Sequence, residues 1–214
     1  MIKKKTYGER CVLDIEYLKL NQGESLAVVG ANGSGKSTLL KILAGIIWPT
    51  CGTAERPERT LYLPQRPYAF HGTVTDNMCI GIKNQAKKAE ELLEKFELAE
   101  LKDKKASSLS GGELQRLSIC RLFMRECSLL LLDEPTSACD IQSSETVIAN
   151  IKQYCKANAC TLILSTHSPA VAANHAQKLL ILNNGKAEAA GETTELISNP
   201  PSEWTKSFIA QWRI

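Results

Sequence analysis

Gly30-Ala31-Asn32-Gly33-Ser34-Gly35-Lys36-Ser37-Thr38 lies between an apolar run, Leu26-Ala27-Val28-Val29, and a helical pattern that begins Leu39-Leu40-Lys41-Ile42-Leu43-Ala44. Gly30, Gly35, Lys36 and Ser37 fit the pattern G-x-x-x-x-G-K-[ST], and the flanks read as strand, glycine-rich loop and helix. Three glycines let the backbone curl until successive N–H groups converge, and the helix start adds its unpaired amides, so the stretch builds a concave anion site. A polyphosphate fits it. In such a loop Lys36 offers a point charge to the β- and γ-phosphates. The Ser37 hydroxyl is a candidate Mg2+ ligand, because that ion takes few protein oxygens and shares the rest with phosphate and water.

The 214-residue chain, 43% hydrophobic, is long enough to bury a core without staples. Its 26 basic and 23 acidic residues leave a net charge of +3 with no basic stripe, so nucleic acid is not an expected partner. The basic start Met1-Ile2-Lys3-Lys4-Lys5 is followed by Thr6-Tyr7-Gly8-Glu9-Arg10, where a secretory leader would need an apolar stretch. The longest apolar runs, Leu129 to Leu132 among them, are far short of a membrane span. Any membrane work is therefore expected to need a partner chain. Eight cysteines, none in C-x-x-C spacing, read as core thiols of a reducing cytosol.

Working outward, Cys11–Ile15 and Tyr17–Leu20 read as strands before the turn Asn21-Gln22-Gly23-Glu24. Beyond the loop, Leu39, Ile42, Leu43 and Ile46 make one helical face that Pro49 closes after Trp48. Thr60-Leu61-Tyr62-Leu63 is a short strand that delivers Gln65 to its end, where open α/β sheets hold their ligands. From about residue 66 to 125 the pattern turns helical, with the stripe Ala89, Leu92, Leu93 and Phe96 between solvated charges. It closes on Leu109-Ser110-Gly111-Gly112-Glu113, a second hydroxyl-and-glycine helix start, equally readable as an ordinary N-cap. Leu129–Leu132 is a buried strand ending in Asp133 and Glu134, which suggests Asp133 for a metal and Glu134 for orienting a water. Strand Thr161–Ser165 leads to His167, and Leu179–Leu182, Asn183-Asn184-Gly185 and Lys186 onward make a hairpin. Trp204, Phe208 and Trp212 read as a helix docked on the domain.

In that order the motifs resemble one family, the ATP-binding cassette (ABC) ATPases, over nearly the whole chain. Walker A is residues 30–38, Gln65 the Q-loop, residues 109–113 the signature, residues 129–134 Walker B, Ser137-Ala138-Cys139-Asp140 the D-loop and His167 the switch histidine. Cys139 stands where the D-loop commonly carries leucine, an apolar-for-apolar change. The resemblance implies an α/β fold: a P-loop NTPase core with a mixed, largely parallel sheet (residues 1–65 and 126–214), an antiparallel β portion and an inserted helical subdomain (about 66–125).

It also implies ATP and Mg2+ as cofactors and a head-to-tail homodimer with ATP between Walker A of one copy and the signature of the other. The expected nucleotide contacts are Tyr7, Gly30, Ala31, Asn32, Gly33, Ser34, Gly35, Lys36, Ser37, Thr38, Ser110, Gly111, Gly112, Glu113 and Asp140, Tyr7 by stacking on adenine. Glu134, His167 and Gln65 are the expected catalytic residues, and Ser37, Gln65 and Asp133 the expected Mg2+ ligands. The partners implied are separate transmembrane permease subunits, with Tyr68 and Phe70 as the floor of their docking groove, and a binding protein if the direction is import. The location implied is cytoplasmic, peripheral on the inner face of the membrane. Residues 61–65 are similar to bacterial importer ATPases. The alternative is a soluble cassette ATPase not engaged in transport; chromosomal types carry a long coiled coil where this chain has only residues 66–109, and ribosomal types carry two cassettes.

Overall fold

Residues 2–82 and 84–212 are described by the computed structural model. The chain begins with strands β1 (Ile2–Tyr7), β2 (Arg10–Asp14) and β3 (Ser25–Val29), then helix α1 (Lys36–Leu43) and strands β4 (Cys51–Gly52) and β5 (Thr60–Leu63). A helical section follows: α2 (Val74–Met78), α3 (Ala86–Lys95), two single 3-10 turns at Ala99–Leu101 and Ala106–Ser108, and α4 (Gly111–Phe123). The remainder is β6 (Leu129–Asp133), α5 (Ile141–Ala157), β7 (Thr161–Ser165), α6 (Pro169–His175), β8 (Lys178–Asn183), β9 (Lys186–Glu192), α7 (Thr193–Ser198) and α8 (Glu203–Ala210).

The described strands join in one nine-stranded sheet of order β4-β1-β2-β9-β8-β3-β7-β6-β5. From β8 to β5 all neighbours are parallel, whereas β8–β9, β1–β2 and β1–β4 are antiparallel. The mixed sheet and its antiparallel portion are thus as the sequence leads one to expect. β3, β6 and β7 are near-continuous apolar runs because both sheet faces are covered. Pleating sorts their residues with period two. Ala27, Val29, Leu130, Leu132, Leu162 and Leu164 face one core with α5, α6 and the helical section, while Leu26, Val28, Leu129, Leu131 and Ile163 face another with α1.

The first of these cores runs without a break from the sheet into the helical section, where Phe96 and Phe123 meet edge-on at 5.7 Å and Phe123 stacks on Tyr154 of α5 at 4.0 Å. At roughly 1.5–3 kcal/mol for each fully buried large side chain, these rings anchor the section firmly to the sheet. The stripe Ala89, Leu92, Leu93 and Phe96 is buried as its spacing predicts. α8 stacks Trp204 on Phe208, and Phe208 and Trp212 pack against the core.

Two local readings are corrected. Residues 17–20 form no strand. α1 stops at Leu43 rather than near Trp48, because Gly45 adopts φ 71° and a Schellman turn forms, Ile46 N donating to Lys41 O (2.9 Å) and Gly45 N to Ile42 O (3.0 Å). Ile46 and Trp48 therefore leave the helix and are exposed. Of the eight free cysteines, Cys120, Cys127, Cys155 and Cys160 are buried as expected, but Cys11 and Cys51 lie on exposed strand positions.

Candidate active site

Because β3, β7, β6 and β5 are parallel neighbours, their C-terminal ends lie along one edge of the sheet. That edge receives the loop 30–35 from β3, His167 from β7, Asp133 and Glu134 from β6 and Gln65 from β5.

The loop is held by main-chain crowding. Gly30, Gly33 and Gly35 have φ of 152°, 78° and 106°, and a Cβ on Gly30 would sit 2.3 Å from Leu182 O. One on Gly35 would sit 2.8 Å from Val12 O, so only glycine fits at either place. The turn of the β8–β9 hairpin closes the other side, Gly185 N donating to Ser34 O at 3.0 Å. Helices α2, α4, α5, α6 and α8 each begin with a side chain that accepts a first-turn amide, whereas α1, α3 and α7 do not; of these three, α1 alone follows the glycine loop, beginning at Gly35 with no acidic residue in its first turn. Its amides are left for a ligand, and the helix dipole favours an anion there. The buried Ser34 hydroxyl likewise has no partner.

Lys36 is buried, and its ammonium donates to Gly30 O (2.8 Å) and Ala31 O (3.2 Å). Burial lowers its pKa, while the charges of Glu134 and Asp133 pull it back up. Asp133 is buried, accepting a hydrogen bond from Ser165 Oγ (2.6 Å) and from Tyr62 Oη (3.4 Å). Burial and then Asp133 raise the Tyr62 pKa, keeping that phenol a donor. Glu134 has φ 51°, and its amide donates to Ser165 Oγ (3.0 Å), so its side chain swings out of the strand line. Its carboxylate lies between Gln65 Nε2 (2.9 Å) and His167 Nε2 (2.5 Å). Ser165 and Tyr62 were not read from the sequence as site residues; a Ser and a Tyr inside strands carry no signal until register pairs Asp133 with Ser165 and Tyr62 with Leu131.

The structure therefore brings together residues 30–38, Asp133, Glu134, Gln65 and His167. Ser110–Glu113 open α4. Ser110 and Glu113 form a capping box, Ser110 N donating to Glu113 Oε2 at 2.7 Å and Glu113 N to Ser110 Oγ at 3.3 Å, which lowers the Glu113 pKa. As the first two helical residues, Gly111 and Gly112 have no acceptor within the helix for their amides. Both pack on Ala138, where a Cβ on Gly112 would approach Ala138 O to 3.0 Å. Asp140 caps α5 by accepting from Ser143 N and Ser143 Oγ, each at 2.8 Å, and the backbone bond first of all lowers its pKa. Tyr7 is exposed on the β1–β2 hairpin with the Lys5 ammonium over its ring at 4.9 Å.

Next to Gln65, an apolar cavity of about 250 Å³ opens between β5, α2 and α4. Tyr68 and Phe70, exposed and edge-to-face at 5.0 Å, form its rim. Arg121 holds them from α4: its Nη2 donates to Tyr68 O (2.9 Å), its Nη1 to Asn77 Oδ1 (3.1 Å), and its guanidinium lies 4.9 Å from the Phe70 ring centre. Among the described residues no helix is long and apolar enough to cross a membrane.

A family model described as ABC transporter matches residues 13–137. The chain is 30% identical over 97% of its length to the spermidine/putrescine import ATP-binding protein PotA of Bacillus cereus, covering 69% of that protein. It is 32% identical over 90% of its length to the lactococcin-A transport/processing ATP-binding protein LcnC of Lactococcus lactis, of which it spans only 30%. Two solved structures share the fold: a nucleotide-free ATP-binding cassette from an ABC transporter (TM-score 0.78, 24% identity, 93% of this chain and 94% of that one) and an ATP-binding subunit of an ABC transporter (TM-score 0.82, 23% identity, 98% and 97%). With a glycine loop that leaves a helix start open to phosphate and a carboxylate poised beside it, the chain belongs to the ABC transporter family as an ATP-binding, ATP-hydrolysing subunit.

Proposed function

We propose that two copies of this chain close head to tail on ATP and reopen after hydrolysis, and that this cycle drives separate membrane-spanning permease subunits from the cytoplasmic face. The observation that carries the reading is the pair of amide-lined helix starts on different elements. One, at α1, has the whole catalytic edge around it; the other, at Gly111 and Gly112 of α4, offers two glycine amides that have no acceptor within the helix. A second molecule that presents its nucleotide to Ser110–Gly112 completes both sites at once. The contact of Gly112 with Ala138 then couples that event to Asp140 and the start of α5.

Within the site, the α1 amides and Lys36 bind the β- and γ-phosphates, Lys36 exchanging the carbonyls of Gly30 and Ala31 for phosphate oxygens. Mg2+ fits the donor set formed by the Ser37 hydroxyl, the Asp133 carboxylate and the Gln65 amide oxygen, and would neutralise charge between the phosphates. Glu134 accepts a hydrogen bond from the attacking water and polarises it, and His167 turns from the carboxylate towards the γ-phosphate. Tyr7 stacks on adenine once Lys5 moves off its ring. The Tyr68–Phe70 rim receives a cytoplasmic helix of the permease. PotA is named for import and LcnC for transport and processing with no direction in its name, and none is assigned to this chain.

The test is Glu134→Gln. It is expected to bind ATP with wild-type affinity and to lose hydrolysis by about 100-fold or more. Hydrolysis at the wild-type rate would remove Glu134 from the mechanism.

A further inference from the structure

Away from the nucleotide edge, three cysteines gather at the opposite end of the sheet. Cys127 stands two residues before β6 and Cys160 immediately before β7, and their Sγ atoms are 2.9 Å apart in the core. Cys155, near the end of α5, lines the same cavity as Cys160. The Tyr154 hydroxyl lies 3.7 Å from Cys127 Sγ and closes the far side. The chain turns tightly between the end of α5 and Cys160: Ala159 has φ 48° and Cys160 N donates to Cys155 O at 2.9 Å.

Access is one-sided. A cavity of about 750 Å³ between α5, the start of β3 and the end of α6 is lined by Cys155 and Cys160 together with Lys152, Lys156 and His175, whereas Cys127 does not reach it. Among the described residues no group of three His, Cys, Asp or Glu side chains is arranged to hold a metal ion.

We propose that Cys127 and Cys160 form an oxidation site, an intramolecular disulfide that staples β6 to β7 when a low-molecular-weight disulfide enters the cavity. Cys160, as thiolate, attacks one sulfur of the small disulfide and expels one small thiol, leaving a mixed disulfide on Cys160. Cys127 loses its proton, attacks Cys160 Sγ and expels the second small thiol. Two protein thiols are oxidised, one small disulfide is reduced to two thiols, and no other reactant is needed. Little movement is required, since less than about 1 Å of further approach completes a bond of ~2.05 Å.

The order of events follows from the surroundings. The hydrogen bond with Cys160, and then burial, hold Cys127 as a thiol. For Cys160 the bond from Cys127 acts the other way and is outweighed by Cys155 and burial, which push it up to about 12. Cys160 is the thiol that meets the cavity and therefore the one that attacks first, and Cys127, which does not reach the cavity, follows. The staple would fix the near ends of the two strands whose far ends carry Asp133, Glu134 and the approach to His167.

The experiment uses the full chain, reduced and then exposed to oxidised glutathione, with Cys11→Ser/Cys51→Ser as a second sample that removes the exposed thiols. Non-reducing peptide mapping is expected to find Cys127 linked to Cys160 in both samples, and the linkage to disappear on reduction. The cross-link closes positions 33 apart, so the unfolding midpoint is expected to rise by about 10 °C and to fall back with reductant. A Cys155–Cys160 link, a link between molecules, or full recovery of alkylated Cys127 and Cys160 after exposure would each overturn the proposal.

Discussion

Lys36 spends its charge on two carbonyls of its own loop, in a buried position that lowers its pKa. An ammonium so placed is desolvated in advance, and phosphate oxygens replace weaker neutral acceptors. Lys36→Ala is expected to weaken ATP binding by roughly 100-fold or more with the fold intact, as measured by calorimetry. Binding within threefold of wild type would show that the amides suffice. Asp133 depends on Ser165 for a 2.6 Å bond that also positions the Glu134 amide through the same hydroxyl. Ser165→Ala leaves a buried carboxylate short of a donor and is expected to cost about 1–3 kcal/mol of stability in denaturant titration.

Glu24 shows how a turn records pH. Its carboxylate accepts from Lys178 Nζ at 2.8 and 2.9 Å and from Asn21 N at 2.8 Å, and chiefly the lysine lowers its pKa to about 2. The folded pKa lies below the unfolded one, so the stabilisation is fully present above the ordinary carboxyl range and is lost as pH falls towards 2. The gap in unfolding midpoint between wild type and Glu24→Gln should therefore be open at pH 7 and close between about pH 5 and pH 2. A gap that does not change with pH would show that the carboxylate is not the stabilising species.

At the scale of elements, α4 combines a capped but only partly satisfied start with an unsatisfied interior. Its capping box pairs Ser110 with Glu113, yet one turn on, Gln115 is fully buried with neither amide atom hydrogen-bonded. An orphaned buried amide costs about 1–3 kcal/mol, so Gln115→Met, close in volume, is expected to raise stability by about 1 kcal/mol or more. A loss of that size instead would mean that Gln115 has a polar partner in solution.

The legibility of each element followed from how local its cause is. The 30–38 loop, the β6 run ending in Asp133 and the Asn184-Gly185 hairpin announce themselves because their residue types are forced by backbone shape or by burial on both faces. The early stop of α1 was missed because Leu39, Ile42, Leu43 and Ile46 keep the helical period, while Gly45 at φ 71° overrules it. Residues 17–20 alternate like a strand but pair with nothing in the sheet. Gln65 and His167 are legible as strand-end residues and take their roles from the family's motif order, but their meeting at Glu134 is a product of strand order, β7-β6-β5, that no short window of sequence contains.

For the whole molecule, the parallel part of the sheet gathers the groups of the catalytic edge at one side, while the α4 glycines sit against Ala138. The Tyr68–Phe70 rim sits between the two, held by Arg121 from α4 and adjoining Gln65 in sequence, so a partner seated there would touch both the insertion and the site. Tyr68→Ala/Phe70→Ala is expected to reduce recovery of the membrane subunits in a pull-down several-fold while basal hydrolysis stays at the wild-type level. Undiminished recovery would place the docking surface elsewhere.

The most direct measurement is the solution mass of Glu134→Gln by sedimentation, with and without Mg-ATP, beside the same chain carrying Ser110→Arg. The mass should double with nucleotide in Glu134→Gln alone, while the Ser110→Arg form binds ATP and stays a monomer. A Glu134→Gln chain that binds ATP and remains monomeric, or a Ser110→Arg form that dimerises equally well, would contradict a nucleotide shared between the α1 loop of one copy and the α4 start of the other.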